Sequence, residues 1–117
     1  MNSVEPRQGE KRILQEDCAE DKLRNGILTL TNQRIIFEKT EGRIATLSKT
    51  TGDMLLDIPL GKISSVSTEG FIIRKLVIFV DDKIYKFGVF STGKWAKEIE
   101  IQVENIRKLG NNFTSSI

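Results

Sequence analysis

The chain is 117 residues long, enough to close one hydrophobic core and too few for two. Hydrophobic residues make up 38% and charged residues 29%, and no apolar run approaches the roughly 18 residues of a helical membrane span. The formal charge of +2 comes from 18 basic and 16 acidic residues spread evenly along the chain, which points away from a nucleic-acid partner.

Histidine is absent, which removes the commonest general base and the commonest transition-metal ligand together. Cys18 is the single cysteine, so an internal disulfide and a cysteine-built metal cage are both excluded, and a reducing, cytoplasmic location is expected. No catalytic residue, metal or cofactor is expected. Met1 to Gln15 lacks the apolar stretch of roughly ten residues that a secretory signal carries.

Residues 1–10 hold Pro6, Gly9 and alternating charges, and read as a flexible lead-in, with order expected from Lys11. From there to Thr68, glycines and asparagine punctuate the chain at the spacing of short β-strands. Gly26 to Lys39 contains two apolar-alternating runs around Asn32-Gln33, the pattern of a hairpin. A two-residue turn there sets Leu30 against Ile35 and Leu28 against Phe37, with Thr29, Thr31, Arg34 and Glu38 on the opposite face. Gln33 suits a primed turn less well than glycine, which leaves a longer turn open.

Arg43 to Lys49 reads as either an extra strand or an ordered loop, followed by a turn at residues 50–53. Met54, Leu56, Ile58 and Leu60 then alternate with Asp57 and Pro59, and Pro59 marks a sheet edge or a strand end because it cannot donate to a ladder. Ile72 to Val80 and Lys83 to Phe90 flank Asp81-Asp82 as a third hairpin. A two-residue turn pairs Leu76 with Phe87 and Ile78 with Tyr85, and a three-residue loop pairs Val77 with Phe87 and Phe79 with Tyr85.

After Phe90 the apolar period lengthens to that of a helix: Trp95, Ile99, Val103 and Ile106 form one stripe between Gly93 and Leu109. Ser91 or Thr92 suits the start, Glu104 precedes Lys108 by one turn, and Gly110-Asn111 reads as a stop before a frayed tail. Antiparallel strands with one apolar face each, and a single helix to cover them, must curl so that the sheet covers itself and the helix plugs one end. Trp95 is then expected in the core rather than in a membrane.

The stretch Gly26-Ile-Leu-Thr-Leu-Thr-Asn-Gln-Arg-Ile-Ile-Phe37 resembles the G-x-L-x-L-T-x-x-R-L-I-F hairpin of GRAM and related pleckstrin-homology-like domains. Asp57 to Val66 resembles their I-P-L-x-x-I-x-x-V segment, and Leu76 to Phe87 is similar to the hairpin that follows. The resemblance spans about residues 11–109 and implies a mostly β fold: a bent, seven-stranded antiparallel barrel capped by a C-terminal helix. It places residues 1–10 before the domain and 110–117 after it. The expected core then includes Leu28, Leu30, Ile35, Phe37, Ile58, Leu60, Tyr85, Phe87, Trp95, Ile99 and Val103.

Such scaffolds bind lipids, peptides or further copies of themselves, so fold and ligand are separate questions. Members that bind phosphoinositides resemble one another in a K-x(n)-K/R-x-R pattern. Here the nearest match, Lys11 or Arg12 followed by Lys22-Leu23-Arg24, is interrupted by Glu16, Asp17, Glu20 and Asp21. The leading expectation is a non-catalytic recruitment module that docks a protein or peptide partner through its loops or through the groove between the helix and a sheet edge. The alternative is an anionic membrane lipid or phosphoinositide met by Lys22, Arg24 and Arg43, placing the domain at the cytoplasmic face of a membrane. A homo-oligomer through the same edge is a further expectation. Arg74, Lys75, Lys83 and Lys86 read as a solubilising surface, Asp81-Asp82 as a turn, Glu16-Asp17 as a strand end whose adjacent side chains point to opposite faces, and Cys18 as a packed small side chain.

Overall fold

The computed structural model describes residues 6–20, 24–40 and 51–115. Seven strands run in chain order among these residues: β1 (Arg12–Glu20), β2 (Arg24–Thr31), β3 (Arg34–Thr40), β4 (Thr51–Pro59), β5 (Ile63–Glu69), β6 (Lys75–Val80) and β7 (Lys83–Gly88). A single 3-10 turn (Leu60–Lys62) joins β4 to β5, and one helix, α1 (Thr92–Ser115), ends the described chain. The sheet order is β4-β3-β2-β1-β7-β6-β5 and the pairings are antiparallel.

One apolar cluster draws on the strands at both ends of that order, Ile58 in β4 and Ile63 in β5 included, so the sheet is curled around a shared interior. Leu28, Leu30, Ile35, Phe37, Ile58, Leu60 and Phe87 fill it from the strands, and Trp95, Ile99 and Val103 fill it from one stripe of α1. Tyr85 is half-buried, its ring 6.4 Å from that of Phe87, which lies 5.8 Å from Phe37. Removing side chains of this size from water supplies about 2 kcal/mol each, which is why alternation of apolar residues decides the register.

The first hairpin takes the two-residue register, with Leu30 opposite Ile35 and Leu28 opposite Phe37. Its turn is not a primed one, because neither Asn32 nor Gln33 has positive φ. The Thr31 hydroxyl instead accepts from the amides of Gln33 and Arg34, each at 3.0 Å, so a side chain supplies what positive φ would otherwise supply. Gly26 is needed opposite Cys18, since a Cβ there would fall 2.5 Å from the Phe37 ring and 2.4 Å from the Glu38 carbonyl oxygen. The third hairpin also takes the two-residue register, and Asp81 meets its demand with φ +52°.

Five expectations differ from the structure. The turn placed at residues 50–53 begins instead with strand, since β4 starts at Thr51; residues 43–49 lie outside the described residues. Met54 is 42% exposed, because the β3–β4 ladder shifts register at Leu55 and brings Met54 opposite Glu38 on the outer face. The strand expected from Ile72 starts at Lys75, because Gly70 at φ +102° tucks its Cα beneath the Ile73 carbonyl and turns residues 71–73 outward. The helix passes through Gly110-Asn111 to Ser115, since glycine within a helix weakens it by about 1 kcal/mol without obliging it to end. Glu104 reaches Arg107, at 3.6 Å, rather than Lys108.

Residues 7–10, before Lys11, are bonded to the barrel. Gly9 turns at φ +73°, and the Gly9 and Gln8 carbonyls accept from the side-chain amides of Asn32 and Gln33 at 3.1 and 2.9 Å. Glu10 then grips Arg34 with both oxygens, at 2.8 Å from Nε and 3.0 Å from Nη2, while accepting from the Thr31 hydroxyl at 2.7 Å. Arg34 also donates to Asp57 at 3.0 Å, and Arg7 reaches the same carboxylate oxygen at 3.2 Å. The face read as polar is therefore a buried, bonded one: Thr29, Thr31, Arg34 and Glu38 are all shielded from solvent. The Arg34 guanidinium holds the Glu10 carboxyl down at about 2, well below its ordinary 4.5.

Candidate functional site

The strands place the candidate cations unevenly. Lys22 and Arg43 lie outside the described residues, and Arg24 opens β2 opposite Glu20 of β1. Lys86 is bridged to Glu69 at 3.0 Å, and Arg74 donates to the Thr68 hydroxyl at 2.7 Å, so these cations of the third hairpin and its approach are tied to neighbours on β5. Among the described residues, no group of three or more Cys, Asp or Glu side chains converges as a metal site, and no helix is long and apolar enough to cross a membrane.

Glu16, which the sequence suggests for a strand end, lies instead in the middle of β1 (Arg12–Glu20). It sits on the core side of β1, opposite Leu28, where alternation calls for an apolar residue. Its Oε1 accepts from the Trp95 indole N–H at 2.8 Å, and its Oε2 accepts from the Phe90 amide at 2.7 Å and the Ser91 amide at 3.4 Å. It thus ties the first strand to the entry of α1 and satisfies a buried indole, a structural role that excludes it as a free acid or base. Cys18 is buried nearby, and desolvation followed by the carboxylates of Glu16, Glu20 and Asp17 pushes its thiol up to about 12. A thiolate is not on hand at neutral pH.

What the fold does leave open is a groove of about 320 Å³ between β5 and α1. Ile63 and Val66 of β5 and Val103 of α1 give it an apolar floor, and Glu100, Glu104 and Arg107 form one rim. Ser64 and Ser65 line the strand side, with the Ser64 hydroxyl donating to the Phe79 carbonyl at 3.1 Å across a bulge in the β5–β6 ladder. β5 ends the sheet order, so among the described residues its outer backbone groups have no strand partner. Small side chains on an edge strand, an apolar floor and a charged rim form a cleft that admits an extended chain.

No family model and no curated protein matches this chain. Among solved structures it is similar to the Vps36 N-terminal PH domain, with a TM-score of 0.62 and 22% identity over 87% of this chain and 85% of that one. The likeness, with the seven-stranded antiparallel sheet and the single C-terminal helix, gives the chain a pleckstrin-homology-like fold.

Proposed function

We propose that the chain is a non-catalytic, GRAM-type pleckstrin-homology-like module that recruits a protein partner by taking an extended peptide segment along β5. The observation that carries this reading is the groove itself: an unpaired strand edge running beside a helix, with Ile63, Val66 and Val103 lining one cleft. A bound segment would add a strand to the sheet through backbone hydrogen bonds and set alternate side chains against the apolar floor. The carboxylates of Glu100 and Glu104 beside that floor favour an apolar segment that also carries lysine or arginine, while Arg107 is partly neutralised by Glu104.

Phage-displayed peptides selected on the folded domain test this. Sequences enriched on the native chain should lose binding to Ser65→Trp, which fills the groove from an exposed position. Loss with an unchanged melting temperature supports strand addition, and undiminished binding would refute it. A cytoplasmic setting accords with the lone, buried cysteine.

A further inference from the structure

The β5–β6 and β7–α1 connections expose large apolar side chains that the groove beside β5 does not use. Phe71, Ile72 and Ile73 are 94%, 89% and 75% exposed, and Phe90 is 93% exposed. A cleft of about 430 Å³ lies between the two connections, lined by Ile72, Ile73, Gly88, Val89 and Phe90, with Arg74 on its wall. Phe71 does not line this cleft and stands free next to it. Single exposed apolar residues are ordinary, whereas four grouped at one end of a small domain mark a contact surface.

The backbone fixes the knob and the cleft relative to each other. Gly70 turns with φ +102°, a conformation that disfavours any side chain, and the hydrogen bond from Arg74 to the Thr68 hydroxyl, at 2.7 Å, closes the loop behind Phe71, Ile72 and Ile73. On the other side the Phe90 amide donates to Glu16 at 2.7 Å, just before α1 begins.

We propose that the chain forms a two-fold dimer through this end, Phe71 of each copy entering the cleft of the other. A surface that carries its own knob beside its own hole is self-complementary: one two-fold axis seats both knobs at once, and the contact closes at two copies. The cleft has room for a ring, since an apolar cavity of about 150 Å³ already takes up benzene. Seated there, Phe71 packs against Phe90 of the second copy. Covering four side chains of this size removes roughly 600 Å² per copy, about 1,200 Å² in all, which is the lower bound for a specific interface. An interface of that size fits a reversible dimer with a dissociation constant of about 10–100 µM. Two Arg74 guanidinium groups then edge one contact, so salt that screens them strengthens association, the reverse of what an anionic partner would show. None of the residues lining this cleft lines the groove between β5 and α1, so the dimer stands or falls independently of peptide docking.

Analytical ultracentrifugation of the whole chain between about 1 and 300 µM, a range that brackets the expected constant, tests the proposal. The native chain should pass from monomer to dimer across it, and more completely at high salt than at low. Phe71→Ser, which removes the knob, and Phe90→Ser, which removes a wall of the cleft, should each raise the dissociation constant by at least about tenfold. Their melting temperatures, measured at about 1 µM where the chain is monomeric, should match the native one. Ser65→Trp, which fills the separate groove, should leave the dimer intact. A dye attached to Phe71→Cys should shift to the blue as unlabelled native chain is added, Cys18 being buried and unreactive. A chain that stays monomeric throughout, or a dimer that both serine substitutions leave intact, overturns the proposal. So does a dimer that Ser65→Trp dissociates, which would move the contact to β5, and so does a monomer that sediments with phosphatidylserine vesicles, which would give the exposed side chains to a membrane.

Discussion

The latch around Arg34 and the loop end around Phe71 invert each other. In the latch, the Arg34 guanidinium and the Thr31 hydroxyl are shielded from solvent, Arg34 held by Glu10 and Asp57 and Thr31 by Glu10. At the loop end, a phenylalanine and two isoleucines stand in water, with a second phenylalanine beside them. Residue type alone would place each group on the other side of the surface. The difference shows what overrides polarity: a polar group stays buried when every strong donor meets an acceptor, and an apolar group stays exposed when the backbone turns it out. The first arrangement serves stability. The second leaves apolar surface in water with no burial in return.

The contrast breaks most visibly at Arg34. Replacing it by alanine strips Glu10 of its guanidinium and leaves Asp57 with Arg7 alone, and about 3–5 kcal/mol of stability should be lost in urea denaturation at neutral pH. A milder break comes from acid. Because the folded Glu10 carboxyl lies below its ordinary value, its contribution is complete above about 4.5 and disappears as pH falls through about 2. Stability should therefore decline by about 2 kcal/mol across that window from this group, and Glu10→Gln should flatten that part of the profile. Smallest of all is the loop end. Phe71→Ser and Ile72→Ser should change unfolding free energy by no more than about 0.5 kcal/mol, since both side chains are already hydrated. A large loss there would mean that the tips support the fold.

Much of the barrel is legible because its strands alternate cleanly. Leu28, Leu30, Ile35 and Phe37 declare one inward face, and the Trp95-Ile99-Val103 stripe declares the helix that covers it. What alternation cannot convey is contact at a distance. Glu10 looks like one charge among several in a polar lead-in, and its worth depends on Arg34, 24 residues away. Glu16 breaks the inward pattern of β1, which was a visible signal, but its partners lie 74 to 79 residues on. Ile72-Ile73 reads as the start of a strand by composition, and the left-handed turn at Gly70 decides otherwise. The groove was legible as an idea, a helix beside an edge, before the order of strands identified β5 as that edge.

The pairing of β1 with β7, reinforced by Glu16 beneath the entry to α1, bears on how the molecule is made. On a ribosome, the first strand emerges long before the partners that shield its inward side, so the interior cannot be sealed until the helix is nearly synthesised. Closure of so long a loop favours slow, all-or-none maturation over stepwise growth. Nascent chains halted before Trp95 should accordingly stay open to proteases, while those extending past Val103 become resistant in a single step.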